Sequence, residues 1–272
     1  MSAPNALQAT PRDLDVLRDV AMAAADAAAA VIRAHRGAGA TVDWQLKGRV
    51  DYVSIVDTAA EERIAQVVSE RLPDARVIGE ELSPGDAAGA GITFVVDPLD
   101  GTTNFLHGFP EYAVSVAALI DREPAVGVVV NVPHGSRWTA VAGRGATLDG
   151  QPIRVSEISD PARSLIGTGF PFKYPEQIER YLRELPRIMQ ATAGIRRAGA
   201  AALDLCAVAG GRFDAFWEHS LEPWDFAAGA LLVREAGGVI TDLRGQPLPL
   251  ARSGIIAGNP RMHEWMLSTL SS

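Results

Sequence analysis

Apolar positions recur at two different spacings along the chain, and this predicts a protein that contains both helices and strands. Residues 10–37 keep the spacing of one helix face, with Thr10 as the expected N-cap. A second helix is predicted to start at Asp57 or Thr58 and to end at Leu72. We therefore expect two N-terminal helices before the first long strand.

The start of the second helix is predicted from local signals. Glu61 follows Thr58 by three residues, which is the spacing of a capping box. The residues before it, 44–47 and 50–56, have strand-like composition and are expected to be extended. On this interpretation Asp57 is a helix cap, and that is the structural alternative to any chemical role.

Strand-like runs fill the rest of the chain in two groups. The first group begins with a buried strand predicted at 92–96. The runs that follow at 112–120, 125–132, 137–142 and 152–155 are separated by short turns and predict an antiparallel meander. The second group alternates with helices, at strands 164–168, 194–197, 213–217, 239–242 and 254–257 and helices 176–189, 200–208, 224–235 and from 260 onward. This pattern predicts a mixed α/β fold with an N-terminal lobe at 1–158 and a C-terminal lobe at 159–272.

An acidic turn directly follows the apolar run at 92–96, in the stretch Asp97-Pro98-Leu99-Asp100-Gly101-Thr102-Thr103-Asn104. Asp97 and Asp100 are three residues apart and can point to one place, while the amides and hydroxyls of Gly101 and Thr102 can line its other side. Carboxylates suit a hard cation, and amides and hydroxyls suit a phosphate. The alternative is an ordinary Asp-Pro-x-Asp-Gly turn without chemistry.

Further acids lie at element ends. Glu80 ends a predicted strand at 77–81, and Asp225 lies in the first turn of the helix at 224–235, where it could simply favour the helix dipole. A set of Glu80, Asp97, Asp100 and Asp225 would repel itself when empty and would call for divalent cations, of which Mg²⁺ is the natural choice for oxygen ligands. Two such ions can activate a water and stabilise a leaving oxygen, so the residues predict metal-assisted hydrolysis of a phosphate ester.

Composition and the absence of other known motifs argue against several classes of function. The 272 residues include 47% hydrophobic and 21% charged residues, and the net charge of −8 argues against a nucleic-acid-binding surface. The single cysteine, Cys206, lies in an apolar run, where we expect a buried, inert thiol and a reducing compartment. We expect no export signal, no membrane span and a cytoplasmic location. The sequence contains no nucleotide P-loop, dinucleotide fingerprint, serine-hydrolase elbow or zinc-ligand spacing.

Three motifs resemble the signatures of the inositol monophosphatase family. They are Gly79-Glu80-Glu81, the acidic turn extended to Phe105, and Trp224-Asp225-Phe226-Ala227-Ala228-Gly229 followed by Glu235-Ala236-Gly237-Gly238. They occur in the family's order and spacing, and the resemblance runs from Lys47 through Gly258. It implies a layered αβαβα fold, a homodimer, dependence on two or three Mg²⁺ ions per site, and inhibition by lithium.

The resemblance also assigns roles to individual residues. It implies that metal is bound by Glu80, Asp97, the Leu99 carbonyl, Asp100 and Asp225. Thr102 with Asp57 would orient and deprotonate the attacking water, and the amides of Gly101 and Thr102 would hold the phosphate. Lys47 would be a supporting charge near the metals.

Two residues match positions that meet the polyol part of the substrate, namely Ala201 and Glu218. One departure is Ala200, where relatives often carry Thr or Ser, which removes a polar contact. The resemblance favours hydrolysis of myo-inositol 1-phosphate, with fructose-1,6-bisphosphatase or another small-ester phosphatase as the alternative. Because bacterial relatives are associated with transcription and ribosomal RNA maturation, a second alternative is an interaction protein that contacts the transcription machinery.

Overall fold

The computed structural model describes residues 10–37, 44–48, 51–82 and 90–271. Within these ranges the chain forms helices α1 (Pro11–Gly37), α2 (Ile55–Arg71), α3 (Thr102–His107), α4 (Ile178–Ala191), α5 (Ala201–Ala209), α6 (Pro223–Glu235) and α7 (Pro260–Ser271). The strands are β1 (Trp44–Gly48), β2 (Asp51–Ser54), β3 (Arg76–Gly79), β4 (Ile92–Asp100), β5 (Ala113–Ile120), β6 (Glu123–Asn131), β7 (Arg137–Val141), β8 (Ala146–Leu148), β9 (Gln151–Pro152), β10 (Leu165–Thr168), β11 (Gly194–Arg196), β12 (Ala215–Leu221), β13 (Val239–Asp242) and β14 (Ser253–Gly258).

Two large sheets carry most of the described strands. The first has the order β3-β4-β5-β6-β7-β8-β9, and its neighbours are antiparallel except for the parallel pair β3 and β4. The second has the order β11-β10-β12-β14-β13 and is mixed. The predicted antiparallel meander is therefore confirmed, with β8 as an additional strand that the sequence pattern did not indicate.

The central strands are apolar at consecutive positions because both faces of the first sheet are covered. In β4, Phe94 and Val96 pack with α1 and α2, whereas Val95 between them packs with the cluster formed by α5 and α6. Successive strand residues point to opposite faces, so each face receives its own apolar set. Gly127 in β6 lets α6 approach closely, because a Cβ there would lie 2.7 Å from the Ala228 carbonyl oxygen.

The layers follow from these contacts. α1 and α2 cover one face of the first sheet, and α5 and α6 lie between the two sheets, where Leu205 and Phe226 share a core with Phe216 and Ile255 of the second sheet. α4 and α7 cover the outer face of the second sheet. The fold is a layered αβαβα arrangement, as the family resemblance implies. The division into lobes at residue 158 stays a prediction.

The structure corrects the predicted start of the second helix. α2 begins at Ile55, so the last two residues of the expected strand at 50–56 are helical, and Asp57 lies inside the first turn instead of capping it. The capping box is also wrong, because the Glu61 carboxylate accepts hydrogen bonds from the backbone N–H groups of Glu81 and Leu82. Tertiary contacts decide the roles of both acids.

Other helix and strand boundaries also differ from those predicted from the sequence. The predicted strand at 77–81 ends at Gly79, which leaves Glu80 just beyond it, and the strand predicted at 152–155 is reduced to the short β9. β12 continues to Leu221, so that Glu218 is a strand residue. Among the described helices, none combines the length and apolar character that a membrane span requires.

Candidate active site

The candidate site lies at the end of β4, where the regular pairing of β4 with β5 is interrupted. The register of β4 with β5 shifts between Asp97 and Asp100, because β4 has one extra residue there: Pro98, which lacks a backbone N–H, and Leu99 lie opposite the single residue Val114. The Asp97 carboxylate accepts a hydrogen bond from the Leu99 N–H at 2.9 Å. The sequence predicted a turn here, and the structure shows an irregular strand end that brings both acids to one cavity.

Gly101 and Thr102 turn the chain from β4 into α3. Gly101 has φ of 92°, in the left-handed region, and a Cβ there would lie 3.0 Å from the Glu111 carbonyl oxygen. The Thr102 hydroxyl oxygen lies 3.0 Å from Asp57 Oδ1 and 3.1 Å from the Leu99 carbonyl oxygen. Since a hydroxyl carries one hydrogen, it donates to one of these acceptors at a time. Thr102 thereby connects the buried Asp57 of α2 to the cavity.

Long-range hydrogen bonds connect the turn between β4 and α3 to α5 and to the residues just before it. The Asp100 carboxylate accepts from the Ala202 N–H at 2.8 Å, and the Asn104 side-chain amide lies 2.6 Å from the Glu111 carbonyl oxygen and 2.9 Å from that of Ala198. These bonds tie residues near position 100 to residues near position 200. The cavity is therefore built from both predicted lobes.

The other two predicted acids reach the cavity from different directions. Glu80 follows β3, and its carboxylate lies 3.9 Å from the Lys173 ammonium group. Asp225 lies in the first turn of α6, where its carboxylate accepts from the Glu222 N–H at 2.7 Å. The helix-terminus interpretation of Asp225 is thus correct, and its side chain lines the cavity at the same time.

The cavity has a volume of ≈ 380 Å³, and most of the site residues predicted from the sequence line it. Its predicted lining residues are Glu80, Asp97, Leu99, Asp100, Gly101, Thr102, Ala201, Glu218 and Asp225. Asp57 is not on the wall but contacts it through Thr102. Lys47 lies in β1, and its side chain lies outside the described part of the chain.

Burial and mutual repulsion dominate the electrostatics. Burial, followed by the charges of neighbouring acids, raises the pKa of Asp97 and that of Asp225 well above the ordinary value. Burial raises the pKa of Asp100 to about 6, although the hydrogen bonds from Ala202 and Ala201 oppose it. Burial raises the pKa of Glu218 to about 8, against the favourable charge of Arg197. Placing several ionised carboxylates here is costly without added positive charge.

The donor set fits a hard divalent cation. Glu80, Asp97, Asp100 and Asp225 supply only oxygen atoms, which suits Mg²⁺ better than zinc. Within the described residues, however, no three carboxylate, histidine or cysteine side chains stand close enough to form a compact metal cluster. The acids border an open cavity instead of a closed coordination shell, so an ion would have to draw them together.

Several cavity residues were not identified from the sequence. They are Phe170, Phe172, Lys173, Arg197 and Asp204. The Arg197 guanidinium carbon lies 5.7 Å and 5.3 Å from the ring centres of Phe170 and Phe172. All five lie far from the acidic turn along the chain, and no local pattern marks them. The buried thiol expected for Cys206 is confirmed, and burial raises its pKa well above the ordinary value.

Comparisons with known proteins agree with the fold and the motifs. Residues 13–272 match the model of the inositol monophosphatase family. The chain is 44% identical over 228 residues to a Pseudomonas aeruginosa protein named Nus factor SuhB, which covers 82% of this chain and 84% of that protein.

Two solved structures are similar over nearly the full length. One is the extragenic suppressor protein suhB from Bartonella henselae, with a TM-score of 0.88, 38% identity, and coverage of 94% of this chain and 98% of that one. The other is inositol monophosphatase from Anabaena (Nostoc) sp., with a TM-score of 0.84, 35% identity, and coverage of 95% and 96%. The chain therefore belongs to the inositol monophosphatase family.

Proposed function

We propose that this protein is a Mg²⁺-dependent phosphomonoesterase that hydrolyses myo-inositol 1-phosphate and related polyol monophosphates to the free alcohol and phosphate. The observation that carries the proposal is the meeting of Glu80, Asp97, Asp100 and Asp225 at one cavity. Thr102, bonded to the buried Asp57, lies on the same cavity wall. The name of the Anabaena relative, inositol monophosphatase, supports the substrate class.

The four acids and the Leu99 carbonyl would hold two or three Mg²⁺ ions. Bound Mg²⁺ supplies positive charge that neutralises the phosphate and the developing charge on the leaving oxygen. The ions would draw the four acids together, and the protein's own contribution would be to orient two of them by backbone hydrogen bonds. The Ala202 N–H does this for Asp100, and the Glu222 N–H does it for Asp225.

Thr102 would orient the attacking water. When its hydroxyl donates to Asp57, its oxygen lone pairs face away from that bond and can accept a proton from a water molecule. Asp57 would then take up the proton that the hydroxyl passes on, which is general-base catalysis through a relay. The N–H groups of Gly101 and Thr102 would hold the phosphate oxygens, since both residues line the cavity at the turn where Gly101 has a positive φ.

The alcohol part of the substrate would lie toward the second sheet. Glu218 of β12 lines that end of the cavity, and its pKa of about 8 keeps a proton on it near neutral pH. A protonated carboxyl group can both donate to and accept from a hydroxyl group, which suits a polyol. Ala201 is also on the wall, but its N–H already bonds to Asp100. Its contribution to the polyol would therefore be shape rather than a free donor.

Phosphate release from myo-inositol 1-phosphate tests the proposal directly. Reactions contain Mg²⁺, Mg²⁺ with lithium, or chelator, and the control is Asp100→Asn, which removes a carboxylate charge but keeps an oxygen acceptor for the Ala202 N–H. We expect release that requires Mg²⁺, falls with lithium and is lost in the variant. Release that continues in chelator would refute the metal mechanism.

The same assay with fructose 1,6-bisphosphate tests the enzymatic alternative. An open cavity of ≈ 380 Å³ can admit alcohols of different shapes. We expect a higher kcat/KM for the inositol ester. A large preference for the bisphosphate would keep the mechanism and change the substrate.

A second candidate function is contact with the transcription machinery. The observation that favours it is the name Nus factor SuhB, carried by the relative that is 44% identical to this chain. The test is binding of wild-type and Asp100→Asn protein to purified transcription elongation complexes. Binding that survives in the variant would establish a role independent of hydrolysis, and absence of binding by the wild type would exclude this role under those conditions.

We also propose that the protein is a cytoplasmic homodimer. The family resemblance implies the dimer, and Phe109, which is 54% exposed and does not line the cavity, provides aromatic surface for contact with another copy. The buried single cysteine is compatible with a reducing compartment. Sedimentation velocity at several concentrations tests the dimer, and a monomer throughout would refute it.

A further inference from the structure

Asp204 is a buried acid that the proposed mechanism leaves without a role. It is the only charged residue of α5, whose sequence is otherwise apolar, and it is 3% exposed. Its side chain lines the same cavity as the acids of the acidic turn. In the part of the chain that the structure describes, no hydrogen bond or ion pair to its carboxyl group is found.

A carboxyl group in this position is costly to the fold. Buried polar groups are normally hydrogen-bonded, and one without a partner lowers stability. Apolar side chains of the core between the sheets surround α5, and Leu203 and Leu205 flank Asp204 in the sequence. Its carboxyl oxygens are not among the fully enclosed side-chain atoms that lack a hydrogen-bond partner, and the residue lines the cavity, so the carboxyl group is open to a ligand that enters from there.

The charged groups around Asp204 determine what kind of ligand fits. Burial, followed by the negative charges of Glu218, Asp100 and Glu111, raises the pKa of Asp204 well above the ordinary value, and Arg197 opposes the shift. A protonated carboxyl group is uncharged and both donates and accepts hydrogen bonds. A neutral hydroxyl group has the matching capacity, whereas an anion would be repelled by the neighbouring acids.

We propose that Asp204 is a substrate-binding residue, which holds a hydroxyl group of the alcohol part of the phosphate ester together with Glu218. The inference rests on the proposed phosphomonoesterase function and specifies its substrate class as a polyhydroxylated alcohol. Asp204 comes from α5 and Glu218 from β12, both line the cavity, and among the charged groups Glu218 has the largest effect on Asp204. The two carboxyl groups therefore border the subsite from different elements.

Two substrates and two variants test this assignment. The substrates are myo-inositol 1-phosphate and phenyl phosphate, whose alcohol has no further hydroxyl groups. Asp204→Leu keeps the side-chain shape without hydrogen bonding, and Asp204→Asn is the matched control because its amide still donates and accepts. Steady-state KM and kcat are measured with saturating Mg²⁺, and thermal unfolding verifies that each variant is folded.

We expect Asp204→Leu to raise KM for the inositol ester about fivefold to tenfold, the effect of one lost hydrogen bond. Its kcat should change less than about twofold, and KM for phenyl phosphate should not change, because only binding of the polyol is affected. Asp204→Asn should stay within about twofold of the wild type on both substrates. If the Leu variant does not fold, Asp204→Ser, which is too short to reach the same hydroxyl, replaces it in the comparison.

Other outcomes overturn the proposal in distinguishable ways. Equal losses on both substrates would make Asp204 a structural residue, and unchanged kinetics on both would remove it from the site. If the wild type hydrolyses neither ester, the proposed function fails by itself. Calorimetric titration with free myo-inositol then decides the subsite: binding that Asp204→Leu abolishes supports it, and equal or absent binding in wild type and variant overturns it.

Discussion

The Asp100 carboxylate accepts a hydrogen bond from the Ala202 N–H at 2.8 Å, across 102 positions of the chain. This bond joins the irregular end of β4 to the first turn of α5. It gives a buried acid a partner that holds it in place, and it fixes the distance between the acidic turn and the helix that carries Asp204. The geometry of the cavity therefore depends on the contact between the two sheets as much as on the acidic turn itself.

Replacement of Gly101 by Ala should destabilise the protein and distort the cavity wall. The left-handed φ of 92° costs a non-glycine residue about 1–2 kcal/mol. The added Cβ would also press against the Glu111 carbonyl oxygen at 3.0 Å. We expect a decrease in the free energy of unfolding, measured by urea denaturation, together with reduced activity.

Gly91 is the matched control for this substitution. Its φ is 91°, but a Cβ there has no atom within 4 Å. Gly91→Ala therefore reports the backbone cost alone, and Gly101→Ala should lose more stability than that. Equal losses of unfolding free energy in the two variants would show that the contacts of an added Cβ at Gly101 do not contribute to the loss.

Removal of the Thr102 hydroxyl should reduce catalysis without unfolding the protein. Valine keeps the branched shape of threonine, so Thr102→Val removes only the group that bonds to Asp57 at 3.0 Å. If the hydroxyl relays a proton from water, kcat should fall about 100-fold or more, as is typical for general acid–base groups. Thr102→Ser keeps the hydroxyl and should retain most of the activity.

The neighbouring threonine provides the control. Thr103 also borders the cavity but is exposed, and the structure gives its hydroxyl no bond to Asp57. Thr103→Val should change kcat by less than about threefold. A similar loss in both valine variants would mean that polarity of the turn, rather than the Thr102 to Asp57 contact, governs the rate.

The sequence predicts those parts of the structure that local spacing determines. Apolar periodicity reveals the helices and most strands of the two sheets, and the two aspartates of the acidic turn are neighbours in the sequence as well as in space. The role of Asp57 cannot be found in this way. Capping rules consider a few adjacent residues, whereas its partner Thr102 lies 45 positions away. The same limit applies to Asp204 and Arg197, which join the cavity only when α5 and the loop after β11 pack against β4.

Glu61 should be a positioning residue for the Glu80 segment. Its carboxylate is 1% exposed and accepts hydrogen bonds from the N–H groups of Glu81 and Leu82 at 2.7 Å and 2.9 Å. Glu61→Ala leaves both N–H groups without this acceptor, which should cost about 2 kcal/mol of stability. Glu80 directly precedes Glu81 in the chain. We therefore also expect Glu61→Ala to need a higher Mg²⁺ concentration for half-maximal activity, measured by titration of the metal.

The exposed neighbour Glu62 on the same helix serves as the control. Glu62→Ala should leave both the unfolding free energy and the Mg²⁺ dependence close to the wild type. Glu61→Gln should recover part of the stability, since its amide oxygen can still accept a hydrogen bond. A Mg²⁺ dependence that is unchanged in Glu61→Ala would separate stability from metal binding and contradict the positioning role.

Removal of Mg²⁺ should make stability decrease as the pH rises. The folded-state pKa of Asp100 is raised from 3.8 to about 6, and burial and neighbouring acids also raise those of Asp97 and Asp225 well above the ordinary value. A carboxyl group with a raised pKa in the folded state contributes its full stability only below its unfolded pKa, and this contribution is lost as the pH increases through the folded value. For Asp100 the loss therefore falls between about pH 4 and pH 6, and the raised pKa values of Asp97 and Asp225 act in the same direction.

Bound Mg²⁺ should reverse this trend, because the ion binds the ionised carboxylates and not the protonated ones. The difference in melting temperature between protein in Mg²⁺ and protein in chelator should grow from pH 5 to pH 8. At about 100 times the dissociation constant, ligand binding adds about 2.7 kcal/mol, which corresponds to a shift of about 5 °C or more for a chain of this size. Differential scanning calorimetry at matched ionic strength measures it. Asp225→Asn removes one of the repelling charges and one proposed metal ligand, so both the pH dependence in chelator and the Mg²⁺ shift should become smaller. A Mg²⁺ shift that is the same in the variant and the wild type, or that does not change with pH, would place the cation away from these acids.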